Sequence, residues 1–425
     1  MAGEYGHEGV ADILVKRMDI DPNTIDIYCR TPLCYAVSNG HEGVVKILLE
    51  RVDIKPNTTD ANGLTPLSQA ACDGREGVVR MLLERADVNP DTVDICGKTP
   101  LSLAAANKHE GVVNMLLVRV GVNPNTTEND RQTLLFKAAC EGRDVVVKVL
   151  LERGEVNPST MNEHGQTSLF GAAWKGHAGV AKILLEREDV YPNTPDGDGK
   201  TPLFGAAMEG HEGVVKMLLE RNNINLNTAD KYSQTPLFGA AWKGHEGVAK
   251  MLLERVDVNP NTPSKDSETP LFTAASKGHE GVVKILLERT DVDPNTPYKD
   301  SETPLFTATS NGHEGVVKML LERADVIPNT PSKDSATPLF RATCEGHSGI
   351  VKVLLERVDV NPDITDLTGG TALSQALKRG HHAIVKLLSE RKSSIPLSGG
   401  DKSTTPPPHK PPNPDQRPIK RIRRF

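Results

Sequence analysis

Strict periodicity constrains this chain more than any other feature. A Thr-Pro-Leu triplet, or a close variant, begins at Thr31, Thr65, Thr99, Thr133, Thr167, Thr201, Thr235, Thr269, Thr303, Thr337 and Thr371, always 34 residues apart. A second marker, usually Gly-His-Glu-Gly, repeats with the same step. Its His or Arg stands at His7, His41, Arg75, His109, Arg143, His177, His211, His245, His279, His313, His347 and His381. Self-similarity at a fixed period of this size marks a repeat architecture, in which each unit packs only on its neighbours. With the triplet Thr at position 6, complete units begin at Asp26, Asp60, Asp94, Glu128, Asn162, Asp196, Asp230, Ser264, Tyr298, Ser332 and Asp366.

One unit, Asp230 to Pro263, shows what the repeat encodes. Thr235–Pro236 is a helix start, with Thr to cap free backbone N–H groups and Pro suited to the first helical position. Leu237, Ala240 and Ala241 recur at helical spacing and give a short helix with a small-residue face. Gly244 ends it. His245–Glu246 open a second helix whose buried stripe is Val248, Met251, Leu252 and Leu253. Asp257 to Pro263 is rich in Asn and Pro and reads as a loop. Neither helix buries its apolar face alone, so stability must come from stacking.

The unit resembles the ankyrin repeat, with its β-turn, two helices and Thr-Pro-Leu-His-x-Ala pattern. The resemblance runs from residue 1 to about 391. It implies an all-α solenoid. The expected division is an N-terminal half repeat (1–25), eleven repeats (26–391) and a Pro-rich, basic, disordered tail (392–425). At roughly 8–10 Å per helix layer the array should be about 100 Å long. Three departures stand out. The period is 34 rather than 33, because an Asn-Pro-Asn-Thr-like insertion lengthens the loop where the usual Gly is missing. The His of the motif is replaced by Phe in seven consecutive units, at Phe136, Phe170, Phe204, Phe238, Phe272, Phe306 and Phe340. These are expected to form a spine filling the repeat interfaces. Finally, a Gly sits early in the second helix in ten of twelve units. Gly costs roughly 1 kcal/mol in a helix interior, and close approach of the neighbouring repeat should compensate. The wording Leu-Leu-Glu-Arg-x-Asp-Val-Asn-Pro-Asn-Thr resembles ankyrin arrays of filamentous fungi, which often follow nucleotide-binding receptor modules.

The ends differ from the middle. Met1 falls at position 10, inside a first helix. Three explanations stand: a chain begun inside a longer ancestor, a wrongly chosen start, or a tolerated half unit. The last unit adds Lys378, Arg379, His382, Ser389 and Lys392 and reads as a polar cap. From Arg391 onward nine Lys and Arg face two Asp and Glu, a net of +7. The preceding 390 residues carry 41 basic against 54 acidic side chains, a net of −13. The overall −6 therefore joins an acidic solenoid to a basic tail. Lys420, Arg421, Arg423 and Arg424 form a candidate nuclear-import patch, although a solvated basic tail is the favoured reading of such a short run. Pro408 and Pro411 fit a PxxP ligand weakly.

Catalytic chemistry is not visible. The His marker lacks the second His of a zinc helix, and His residues one repeat apart do not converge on an ion. There is no phosphate-binding or nucleophile-elbow glycine motif. Six cysteines lack CxxC spacing; Cys72, Cys140 and Cys344 share position 13 and read as small surface fillers. No cofactor and no metal are expected, and the protein is read as non-enzymatic. Nothing resembles a signal peptide or a membrane span, so the expected location is cytoplasmic, possible nuclear entry depending on the tail.

Binding remains. Positions 2, 3 and 5 at the turn tip, and 13 and 14 at the end of the first helix, vary between units. The resemblance implies that they line a concave face. Both Trp residues, Trp174 and Trp242, fall at position 13, with Met208 between them. Lys175, Glu209 and Lys243 follow at position 14, and Tyr232 lies at a turn tip. Large apolar side chains in such places are typical interface anchors. The expected site covers residues 162–263 and takes a protein partner; the competing reading is that each Trp only packs on its neighbour. The expected function is a scaffold, adaptor or regulator, monomeric, with nucleic acid disfavoured and no membrane partner. Rival readings are a recognition arm from a larger nucleotide-binding receptor, a nuclear regulator imported through its tail, or an accessory regulator of a metabolic pathway.

Overall fold

A computed structural model describes residues 2–17, 19–119, 121–127 and 132–394. Among these residues it contains 24 α-helices, one short 3-10 turn and no extended strand, only an isolated bridge between Thr127 and Thr133. The helices come in pairs at the 34-residue step, as in Pro236–Lys243 and Glu246–Leu253. The all-α solenoid read from the sequence is the architecture observed.

Local chemistry sets each boundary. The Thr235 hydroxyl accepts from the Phe238 N–H at 3.2 Å, and Pro236 occupies the first turn. All eleven triplet threonines make the equivalent cap, from Thr31 to Thr371. Thr235 is only 1% exposed, so the cap replaces water that cannot reach these N–H groups. Gly244 closes the first helix in the left-handed region, at φ 79°.

The core is a continuous seam from unit to unit. Leu237, Ala240 and Ala241 on the first helix meet Val248, Ala249, Leu252 and Leu253 on the second, with Val258 of the loop behind them. Met251 lies at its edge. The seven phenylalanines are all buried, as the spine reading expects. First helices, with Ala and Gly on their contact faces, pack closer to one another than second helices do.

Side chains that look merely repetitive in sequence turn out to stitch neighbouring units. The His opening each second helix makes no cap there. Its Nε2 instead meets the position-13 carbonyl of the preceding unit, 3.1 Å for His245 and Met208, 2.8 Å for His177 and Cys140. A carbonyl only accepts, so Nε2 carries the proton. Arg75 and Arg143 replace His by donating to Ser38 and Ala106, each at 3.2 Å. In the last unit Arg379 takes the Cys344 carbonyl, and His381 Nε2 is left without a partner. The Arg ending each second helix works similarly: Arg289 donates to the Leu253 and Arg255 carbonyls, both at 3.1 Å, and pairs with Asp291. A cation suits this negative end of the preceding helix.

Two of the departures acquire reasons. The inserted loop residue belongs to an Asn ladder: Asn261 donates to the Asp291 carbonyl at 2.6 Å and accepts from the Asp293 N–H at 3.0 Å. The second-helix Gly does have a close neighbour, but it is a side chain. The carboxylate of Glu212 stands where a Cβ on Gly247 would be, and Glu246, Glu280 and Glu314 do the same for Gly281, Gly315 and Gly349. The positive end of the following helix favours an anion there.

Candidate functional site

The variable positions occupy two adjoining strips, the turn tips and the ends of the first helices. Position 1 builds each tip. The Asp230 carboxylate accepts from the Tyr232 and Gln234 N–H groups at 2.8 and 2.9 Å. Ser233 then takes the left-handed region, at φ 60°, where five of the eleven units place Gly. Consecutive tips are joined by backbone bonds, such as Lys231 N–H to the Asp198 carbonyl at 2.7 Å and Lys265 N–H to the Tyr232 carbonyl at 2.8 Å. Among the described residues such bonds join the tips of units 1 to 3, 5 to 8 and 9 to 10.

Trp174, Met208 and Trp242 lie in a row, one per unit, at the ends of successive first helices. They are half-buried, so each is partly packed and partly open to solvent. Each Trp has a seat. Trp174 stacks on Phe170 one turn earlier, with ring centroids 5.8 Å apart and planes at 25°. Its other neighbour is Gly205 of the next unit, where an added Cβ would come 3.1 Å from the indole. Met208 lies against Gly239 in the same way. Trp242 sits on Phe238, at 6.0 Å. The position-10 glycines were the overlooked signal: Gly171, Gly205 and Gly239 each follow a larger position-13 residue in the unit before.

Lysines cover what remains of the indole faces. Lys200 Nζ lies 5.6 Å from the Trp174 ring centre and Lys277 Nζ 4.8 Å from that of Trp242. Lys175, Glu209 and Lys243 are exposed beside the row, and Tyr232 is 50% exposed on the adjacent edge. Trp174 and Lys175 also line a cavity of about 420 Å³ with Phe136, Cys140, Phe170, Asp198 and Lys200. Asp198 is held below the usual carboxylate range, first by the Lys231 ammonium that donates to it at 2.7 Å. Trp242, Met208 and Tyr232 are outside this cavity.

The position-13 cysteines are not surface fillers. Cys344 is buried, Cys140 lies against Gly171 in the repeat interface, and Cys72 is half-buried. Burial pushes the Cys140 thiol up to about 11, the opposite of an activated nucleophile. Lys420, Arg421, Arg423 and Arg424 lie outside the described residues. A cavity of about 470 Å³ opens near the N-terminus between Leu14, Ile20, Tyr35 and Leu48. Val44 and Leu48 of the core seam are among its lining residues. Among the described residues there is no His, Cys, Asp and Glu grouping able to hold a metal, and no helix long and apolar enough to cross a membrane.

The face has the character of a contact surface: a shallow aromatic row, a polar edge, and charges of both signs. Comparison with known proteins identifies the repeat. A family profile described as "Ankyrin repeats (3 copies)" matches residues 1–60, 52–128, 101–196, 188–263, 255–330 and 325–398. A solved structure described as "EF0377 an Ankyrin Repeat Protein" is 26% identical, covering 44% of this chain and 96% of that one with a TM-score of 0.42. No curated protein matches. Ankyrin repeats are a protein–protein interaction module and generally non-enzymatic. Matched from end to end of its solenoid, the chain belongs to the ankyrin repeat family.

Proposed function

We propose that this protein is a non-enzymatic scaffold, adaptor or regulator that binds a partner protein across the concave face of units 5 to 7. One observation carries this reading. Trp174, Met208 and Trp242 form a row of large, half-buried apolar side chains at positions where units 1 to 3 place only Ser38, Cys72 and Ala106. Trp supplies large contact area with a polar edge, which is why it recurs among binding hot spots. A shallow strip suits an extended segment or a domain surface better than a small molecule, which requires a deep enclosing pocket.

The test is affinity capture with the full chain and with a Trp174→Ala/Trp242→Ala variant whose helix content is checked by circular dichroism. Specific partners should be lost from the variant; an unchanged set from a folded variant would sink the reading. A nuclear role is a second reading, motivated by the +7 charge of the segment from Arg391 onward. Nuclear accumulation of the full chain, lost on deleting residues 417–425, would support it; the same distribution for both would remove it.

A further inference from the structure

From unit 6 to unit 10 the turn tips carry a short ladder of ion pairs, and one of its four rungs is missing. An Asp at position 3 faces a Lys at position 2 of the next unit. Asp198 pairs with Lys231 at 2.7 Å, Asp266 with Lys299, and Asp300 with Lys333 at 3.4 Å. Three of the four places also share a backbone rung: the N–H groups of Lys231, Lys265 and Lys333 donate to the carbonyls of Asp198, Tyr232 and Asp300 at 2.7, 2.8 and 2.7 Å. At the second of these places along the chain, position 3 is Tyr232 instead of Asp. Lys265 thus keeps its backbone bond and loses its carboxylate. Among the described residues its ammonium forms no ion pair.

The surroundings add further lysines. Lys231 Nζ lies 5.1 Å from the Tyr232 ring centre, Lys277 covers Trp242, and exposed Lys243 follows Trp242 in the chain. Of the acids nearby, Asp198 and Asp266 are taken by Lys231 and Lys299 and buried Asp230 by the Tyr232 and Gln234 N–H groups, leaving Glu209 and the half-buried Glu268. Within a solenoid of net −13 this is an aromatic spot where Lys and acidic side chains balance. Interleaved carboxylates would repel a polyphosphate chain, whose binding needs a run of uninterrupted cations. A peptide presenting carboxylates at intervals between apolar side chains matches the pattern.

We propose that units 6 to 8 take an acidic peptide segment of the partner, one carboxylate seated on Lys265 beside Tyr232 and an apolar side chain laid against Trp242. This rests on the concave-face reading above and names the chemistry of its occupant. A single exposed ion pair adds little affinity; its weight falls on specificity and association rate, and it weakens with salt.

The full chain is titrated with a short fluorescein-labelled peptide alternating Leu and Asp, with the same peptide carrying Lys for Asp, and with oligothymidylate. The acidic peptide should bind in a salt-sensitive manner and the basic peptide should not. Tyr232→Asp, which gives Lys265 an internal partner, and Lys265→Glu should each weaken binding by about two- to fivefold at low salt. Lys333→Glu, on an intact rung, should leave it unchanged. A carbodiimide, which joins amines to carboxylates in contact, should link the peptide to Lys265. No binding of the acidic peptide, equal binding of the basic one, tighter binding of oligothymidylate, or full binding by Tyr232→Asp would each overturn the inference. Partner capture separates the two readings. If it is lost in Trp174→Ala/Trp242→Ala but kept in Tyr232→Asp, the interaction face stands and the acidic occupant falls. If both variants keep it, both readings fall.

Discussion

Units 1 to 3 and units 4 to 10 fill the same interface in two ways. In the first group position 9 is small and polar. Cys34, Ser68 and Ser102 are buried, and their side chains bond back to the capping threonine, as Ser68 Oγ does to Thr65 Oγ1 at 2.9 Å. The larger side chains stand one position later, at Tyr35, Gln69 and Leu103. In the second group Phe fills position 9, and units 5 to 7 empty position 10 to Gly. The vacated place admits Trp174 and Met208 from the unit before, and Phe170 and Phe238 supply rings for the two indoles to lie on. The aromatic face is therefore a consequence of how the layer beneath it is packed. Moving volume by one position in a helix moves it by about 100°, here from the concave surface into the seam.

The largest test of this contrast is Phe204→Ala, a truncation at a site 1% exposed. Loss of a buried ring should cost about 3–5 kcal/mol, read by urea denaturation. Ser68→Ala removes a hydroxyl and its bond and should cost about 1 kcal/mol. Equal losses from the two would break the comparison. Gly205→Ala sharpens it further. The added methyl gains about 1 kcal/mol of helix propensity but crowds the indole, so net stability should move little while Trp174 fluorescence shifts to the red. An unaltered spectrum would mean that Gly205 is not the seat.

Unit 1 offers a pH test. Partial burial pushes the Asp26 carboxyl up, yet the Arg30 N–H, the Tyr35 hydroxyl, the Tyr28 N–H and the Arg30 guanidinium outweigh it and hold the group at about 2. A carboxyl depressed on folding stabilises fully above its unfolded value, near 4, and that stabilisation is lost as pH falls toward 2. Tyr35→Phe should raise the midpoint in an NMR titration of Asp26, because position 10 donates to the turn here; no movement would contradict that role. The smallest effect is chemical. Iodoacetamide should modify exposed Cys29 and Cys96 well before Cys140 and Cys344, read by mass spectrometry of the folded protein. Early labelling of Cys140 would show that the layer beneath Trp174 is open.

The solenoid was legible because its determinants are local. The Thr cap, the N1 Pro, the Gly stop and the helical apolar stripe act within a few residues, and 34-residue recurrence repeats each signal. The Phe spine was legible for the same reason, since seven rings at one register position must share one environment. The candidate site was legible only as a set of variable positions. Trp174 and Trp242 were found, but their half-buried stacking on Phe170 and Phe238 was not. Nothing in the spacing says whether a side chain at the end of a helix turns outward or back along it. The second-helix glycines show the same limit: their positions predicted a close neighbour, and only the fold showed that Glu212 or Glu246 fills the space.

By itself, then, the sequence determined the repeat, its helices and its seam, because those follow from propensity and periodicity within one unit. The tertiary structure decided what holds unit to unit. His245 reaches a carbonyl 37 residues back, Arg289 carbonyls 36 and 34 back, and Asn261 a carbonyl 30 ahead. Recurrence cannot reveal these partners, since a side chain conserved in register looks the same whether it bonds within its own unit or across to the next. The empty rung at Lys265 belongs to this second class. In the sequence Tyr232 is one more variable turn residue; only the stacking of the tips shows that an Asp stands in that place where the neighbouring rungs are closed.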